Sequence, residues 1–467
     1  QADFILTLLS VFWDEGRREL EAFSRAAKLP ATSGASPFNH FIQPAPDQLL
    51  RVAVGLAFRR GRLKSVYSLL RGRDMSGGEF SDARREEHFA TLAEAQAYAL
   101  NLTNWHEFLK CLMRAGFRSE GTVTSQNNLL FSYILFLVGR RDFGVALHPL
   151  REVIARWFFM ASLTGRYTSS PESAIESDLA RLAGVADADG FVALLDQLID
   201  NALTHDFWTI TLPNSLATSA GRSPSLSAYY AALSILDARV LFSKMRVTEL
   251  FDPALRSKKS AIERHHLFPR AYLTRQGVTS NREINQIANF ALVEWPTNIA
   301  ISDAPPADYF PDFMSGLSEA ERTRARYWHA LPDGWETMDY EPFLEARRSL
   351  IAKVVEAAFG VLRKGDVTPD EPERTDAPVT VEAMMKAGES ARVEFKATAR
   401  WNLHTQSRDE RMEQVIVKTV AGFMNADGGT LLIGVNDDGH AVGLENDYSL
   451  QRKPGRDGFE LWLTDLL

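Results

Sequence analysis

A single cysteine, Cys111, stands among the 467 residues, so no disulfide forms within the chain and no cysteine cluster holds a structural zinc. Long apolar runs are missing too. The longest, Leu129 to Val138, contains Ser132 and Tyr133 and is far short of the ~20 residues that cross a bilayer. Neither a signal peptide nor a targeting motif is visible, and with one cysteine this reads as a cytoplasmic protein with no membrane segment. Positive charge is not in excess. The net charge of −8 gives no global attraction to nucleic acid, so contact with phosphates has to come from local basic surface. Internal repeats and low-complexity tracts are absent. The glycines Gly428, Gly429 and Gly439 flank a strand-like segment instead of opening a helix, and no Lys-Ser/Thr ending follows them, which excludes a Walker-type ATPase.

What is present fits a chain of about three domains with ordinary buried cores. From residue 1 to 250 apolar residues recur at three and four, as in Trp105, Phe108, Leu109, Leu112 and Met113, with Thr103-Asn104 read as the cap. Strand-like alternation is scarce there, so a helical scaffold is expected. Residues 51–73 carry Arg51, Arg59, Arg60, Arg62, Lys64, Arg71 and Arg73 without an acidic residue. Arg59, Arg60, Arg62 and Lys64 are candidates for tracking phosphates, with Tyr67 placed to stack on a base. The competing reading is a solvated helix face paired with acids elsewhere.

The most informative stretch is His265-His266-Leu267-Phe268-Pro269, followed by Asn289 and Asn298. Two adjacent histidines on a strand point to opposite faces, so they take different tasks. Pro269 marks a turn after that strand, and Phe290-Ala291-Leu292-Val293 is an apolar run ahead of Pro296 and Asn298. A strand, a turn, a second strand and a helix would gather these side chains around one ion. A neutral imidazole accepts a proton from water near neutral pH, and a hard cation with few protein ligands leaves room for phosphate oxygens.

This series resembles the HNH, or His-Me finger, motif of GmrSD-type restriction endonucleases. The resemblance implies that His266 is the general base, that His265 and Asn298 are metal ligands, and that Asn289 ties the loop and orients the base. His265 stands where Asp or Glu is commoner. Magnesium or manganese is the implied ion, with zinc the weaker competitor. Segments such as Phe4 to Phe12 and Arg166-Tyr167-Thr168 resemble the same family. Its upstream ParB-like nucleotide-binding domain would precede Gln1, so the chain is expected to be a fragment of a longer protein.

Beyond Ser318-x-x-Glu321, a capping box, and a helix over Pro342 to Leu362, residues 365–378 are an acidic, proline-rich linker. From Val379 the pattern changes to a small α/β arrangement: an alternating strand at Arg392 to Lys396, a helical stripe from Met412 to Phe423, a turn at Asn425 to Gly429 and a buried strand at Thr430 to Val435. That order resembles the Schlafen-type AlbA domain, through Glu389 to Lys396 and Asn425 to Asp437. The resemblance implies a second candidate site of Glu389, Glu394 and Asp437 around a metal, with Lys396 meeting a phosphate. Many bacterial relatives are binding modules instead of nucleases.

The expected protein is α+β and mainly α: a helical scaffold at 1–250, a ββα-metal HNH module with trailing helices at 251–364, the linker at 365–378, and an AlbA-like domain, truncated, at 379–467. The expected function is a metal-dependent DNA endonuclease of a restriction or anti-phage defence system. Its alternatives are a nucleic-acid-binding regulator with an inert HNH module, or an AlbA-like domain that cuts RNA. DNA is the expected partner; RNA at the C-terminal domain and a homo-oligomer stay open.

Overall fold

Apolar residues at helical spacing give each N-terminal segment one face to bury. In the computed structural model they form α1 (Asp14–Ala26), α2 (Pro46–Phe58), α3 (Leu63–Leu70), α4 (Asp82–Ala99), α5 (Leu102–Arg114), α6 (Gln126–Arg141), α7 (Leu147–Thr164), α8 (Pro171–Arg181), α9 (Ala188–Ala202), α10 (Pro224–Ile235) and α11 (Val247–Phe251). The structure describes residues 13–27, 42–72, 80–251, 263–364, 380–389, 393–403, 405–424, 429–436, 438–451 and 454–466. The expected linker at 365–378 and the segment Phe4 to Phe12 lie outside them. Every residue from Asn128 to Gly139 is buried, so the longest apolar run is a helix surrounded by other helices. No helix among the described residues is long and apolar enough to cross a membrane.

Helix α5 begins one cap earlier than Thr103-Asn104 suggests. Asn101 is the N-cap, its side chain accepting from the amides of Thr103 and Asn104. A helix can be capped by the first residue able to turn its oxygen back onto N2 and N3, and Asn101 reaches both. The Arg166-Tyr167 pair locks α8 to the end of α7: the Arg166 guanidinium forks onto Asp178, and the Tyr167 hydroxyl donates to the same carboxylate at 2.7 Å.

The chain continues through β1 (Glu263–His266), the short helices α12 (Arg270–Arg275) and α13 (Asn281–Ile284), β2 (Phe290–Val293), α14 (Trp295–Ile301), α15 (Pro306–Ser315), α16 (Glu319–Trp328) and the long α17 (Tyr340–Lys364). Strands β1 and β2 are antiparallel, with His265 opposite Ala291 and His266 opposite Phe290. Ala291 and Val293 of β2, with Leu267, Phe268, Tyr309, Phe310, Trp335 and Phe343, form a core of their own. Helix α16 starts with the expected box, the Ser318 hydroxyl and amide both donating to Glu321.

Residues 1–369 nevertheless form one compact unit, and 370–467 a second. Two features join the ββα segment to the helical part of the first unit. The Leu241 amide donates to the Leu292 carbonyl, adding the segment after α10 to the edge of β2. Helix α17 lays Phe359 against Phe159 and Trp208, and it sends Arg347, fully buried, to the carbonyls of Ala288 and His329. A buried guanidinium is costly unless its N–H groups are bonded, and here backbone oxygens take that role.

The second unit holds α18 (Val381–Ala387), β3 (Val393–Lys396), β4 (Trp401–Asn402), β5 (Ser407–Arg408), α19 (Glu410–Met424), β6 (Thr430–Ile433), α20 (Glu445–Ser449) and α21 (Arg456–Leu466). Strands β3 and β6 are parallel, Phe395 opposite Leu432. Strand β6 is half-buried instead of fully buried. The turn after it closes through Asn436 and His440, and Gly439 adopts φ 77°, where a Cβ would stand 2.4 Å from the Met385 carbonyl. Mainly helical, with few strands, the whole is of the α+β class.

Candidate functional site

Pairing of β1 with β2 sets the two histidines into different surroundings. His265 is 3 % exposed, packs edge-on against Tyr309, and has Nδ1 at 2.8 Å from Oδ1 of Asn298 on α14. Its other nitrogen, Nε2, is buried and has no hydrogen-bond partner among the described residues. Burial pulls the His265 imidazole down to about 4, against the raising effect of Asn298 and with a small push from His266. The ring is therefore neutral at physiological pH and keeps a lone pair.

His266 is half-buried. Its Nε2 lies 2.8 Å from Oδ1 of Asn285, and its ring packs on Phe290 at 4.6 Å. An amide oxygen only accepts, so Nε2 carries the hydrogen and Nδ1 is the basic nitrogen. Burial lowers the His266 imidazole from its ordinary value, Asn285 raises it, and the nearby Arg270 guanidinium lowers it further. The ring is thus uncharged near pH 7, as a proton acceptor has to be.

Asn289 is fully buried and bonds to backbone: Oδ1 accepts from the Phe268 amide at 2.8 Å, and Nδ2 donates to the carbonyls of Phe268 and Ile284. It ties the loop after β1 to the turn before β2. The ring of His266 is oriented instead by Asn285, because the carboxamide of Asn289 is already committed to three backbone groups. Tyr309 adds a further tie, its hydroxyl donating to the Leu267 carbonyl at 2.6 Å. Asn285 and Tyr309 were not found by sequence reasoning. Asn285 sits in the polar run Asn281 to Gln286, whose composition is that of any surface turn.

Bonded to an amide oxygen, Nδ1 of His265 carries the hydrogen, so His265 and Asn298 would face a hard divalent cation together only with that hydrogen moved to Nε2. Two cis ligands of an octahedral ion with bonds of ~2.1 Å lie about 3 Å apart, close to the Nδ1 to Oδ1 separation. No group of three or more His, Cys, Asp or Glu side chains converges among the described residues, so an ion there would complete its shell with water and phosphate oxygens. Asn298, half-buried, gives the access that His265 lacks.

In the second unit Glu389, Glu394 and Lys396 come together. The Lys396 ammonium lies 2.6 Å from Glu394 and 4.0 Å from Glu389, and Glu389 also accepts from the Phe395 amide. Asp437 lies outside the described residues. A metal at these carboxylates would have to displace Lys396 from Glu394. The neighbouring loop is built around Asp447, a fully buried carboxylate that accepts from the amides of Ala399, Arg400 and Trp401. Arg400 in turn binds Glu413 and lies over the Trp462 ring.

The basic strip after α2 is not a row of unneutralised charge. Arg51 pairs with Glu172, Arg59 with Asp142 and Arg60 with Glu176, while Arg62 donates to Ser173. Glu176 also takes the amides of Gly61 and Arg62. Arg71 lies over the Tyr67 ring, and Lys64 is exposed. Glu172 and Glu176 on α8, with Asp142, thus offset the charge of Arg51, Arg60 and Arg59.

No curated protein matches the chain. Residues 389–458 match the family model described as Schlafen, AlbA_2, a similarity that suggests a nucleic-acid-related function.

Proposed function

We propose that the chain is a metal-dependent DNA endonuclease of a restriction or anti-phage defence system, with its centre at β1, β2 and α14. The observation that carries this reading is the pairing of His265 with Asn298 beside a neutral His266 held by Asn285. His266 Nδ1 takes a proton from water as the water oxygen forms a bond to phosphorus and the P–O3′ bond breaks. His265 and Asn298 would hold magnesium or manganese. When bound, the ion supplies positive charge to the phosphate oxygens and the leaving 3′ oxygen. Asn285 keeps the imidazole in the tautomer with Nδ1 free, and Asn289 holds the loop that sets the spacing. Purified protein should nick plasmid DNA in magnesium, and His266→Ala should lose that activity by at least ~10²-fold. Equal cutting by both proteins sinks the assignment.

The second reading is a nucleic-acid-binding regulator, with the AlbA-like unit as its grip on DNA or RNA. The match of residues 389–458 to the Schlafen, AlbA_2 family model supports it, as does the Lys396 ammonium held against Glu389 and Glu394 in the place a metal would take. This reading expects salt-sensitive binding that survives both chelator and His266→Ala. An RNase at the same unit would instead show metal-dependent RNA cleavage that Glu394→Ala abolishes.

A further inference from the structure

Away from the histidine pairs, a cavity of about 280 Å³ lies between the segment Arg239 to Ser243 and helix α16. Its walls bring together three kinds of group. Arg239 and Arg324, both exposed, supply two guanidiniums. Phe242 and Trp328 supply aromatic surface, and Phe242 is held in the left-handed region at φ 64°, a costly conformation for a non-glycine residue. Glu321 supplies a carboxylate kept ionised by the Ser318 amide and hydroxyl and by Arg239.

We propose that this cavity binds a ribonucleoside monophosphate. Two guanidiniums match a phosphate dianion, whose planar donors pair with its oxygens. The aromatic walls suit a base. Glu321 already accepts three hydrogen bonds, two on Oε2 and one on Oε1, and a carboxylate has about four lone-pair sites, which leaves Oε1 a place for one ribose hydroxyl. The volume lies just below the ~300–1,000 Å³ of ordinary small-molecule sites, the scale of one nucleotide.

The cavity is wired to α14. Its Ser243 donates to Glu294, the N-cap residue of α14, whose carbonyl accepts from the Asn298 amide at 3.0 Å. An occupant touching Ser243 therefore stands two hydrogen bonds from the Asn298 backbone amide.

Isothermal titration of the full chain with AMP tests the assignment without reference to cleavage. Saturable binding is expected, weakened at least about tenfold by Arg324→Ala, with an unchanged melting curve because Arg324 is exposed. Adenosine, inorganic phosphate and 2′,3′-dideoxy-AMP should each bind at least about tenfold more weakly than AMP. Absence of saturable AMP binding, or AMP binding indifferent to Arg324→Ala, overturns the site. Phosphate alone binding as tightly as AMP overturns the nucleotide assignment.

Discussion

His266 is held by Asn285, nineteen residues away, through a 2.8 Å bond from Nε2 to Oδ1. This contact fixes which nitrogen would accept a proton in the proposed reaction. Asn285→Ala should lower DNA cleavage roughly 10- to 100-fold, the usual cost of losing the partner that orients a catalytic or ligating histidine. Asn285→Asp should move the acid limb of the pH–rate profile upward by about one unit, since a carboxylate beside the ring stabilises its protonated form. A purely structural Asn285 would leave the profile where it is.

His265 and Asn298 are expected to bind the metal together. Manganese titration followed by electron paramagnetic resonance should show one site on the parent chain, weakened at least about tenfold in His265→Ala and in Asn298→Ala. His266→Ala should leave it intact. Loss of the site in His266→Ala, with retention in the other two, would reverse the assignment of base and ligand.

Burial holds His265 and His329 down to about 4, compared with an ordinary value of 6.5. Below pH 6.5 the unfolded chain takes up protons that the folded chain refuses. Stability is therefore full above about 6.5, falls as the pH drops towards 4 and levels off below it, with each ring contributing at most on the order of 3 kcal/mol. Urea midpoints measured across that window should decline with acid, and imidazole NMR should show His265 still neutral at pH 5. Titration of His265 near 6.5 would contradict its enclosure.

Asp447 accepts from three consecutive backbone amides, so its removal leaves three buried donors unmet. Asp447→Ala should destabilise the second unit by about 2–4 kcal/mol. Hydrogen exchange should loosen around residues 399–401 while the first unit keeps its protection. Unchanged exchange there would show that the loop stands without the carboxylate.

Local signals were the ones readable from the chain. The Ser318 and Glu321 box needs only a spacing of three, and Val393 to Lys396 announces a strand by alternation alone. His265, His266, Asn289 and Asn298 stand out because imidazoles and amides are spaced around an apolar run. Asn285 gives no such signal, because its role depends on how α13 places it against β1. The partners of Arg59 and Arg60 give no local signal either, since Asp142 and Glu176 lie far along the chain. Asp447 looks like any acid near a helix start until the loop around Arg400 has folded onto it.

Arg347 crosses from α17 to the carbonyl of Ala288, the residue just before Asn289. An excised fragment of the ββα segment that stopped before α17 would strip the carbonyls of Ala288 and His329 of the Arg347 guanidinium and loosen the turn before β2. Any minimal version of this segment has to carry the long helix with it.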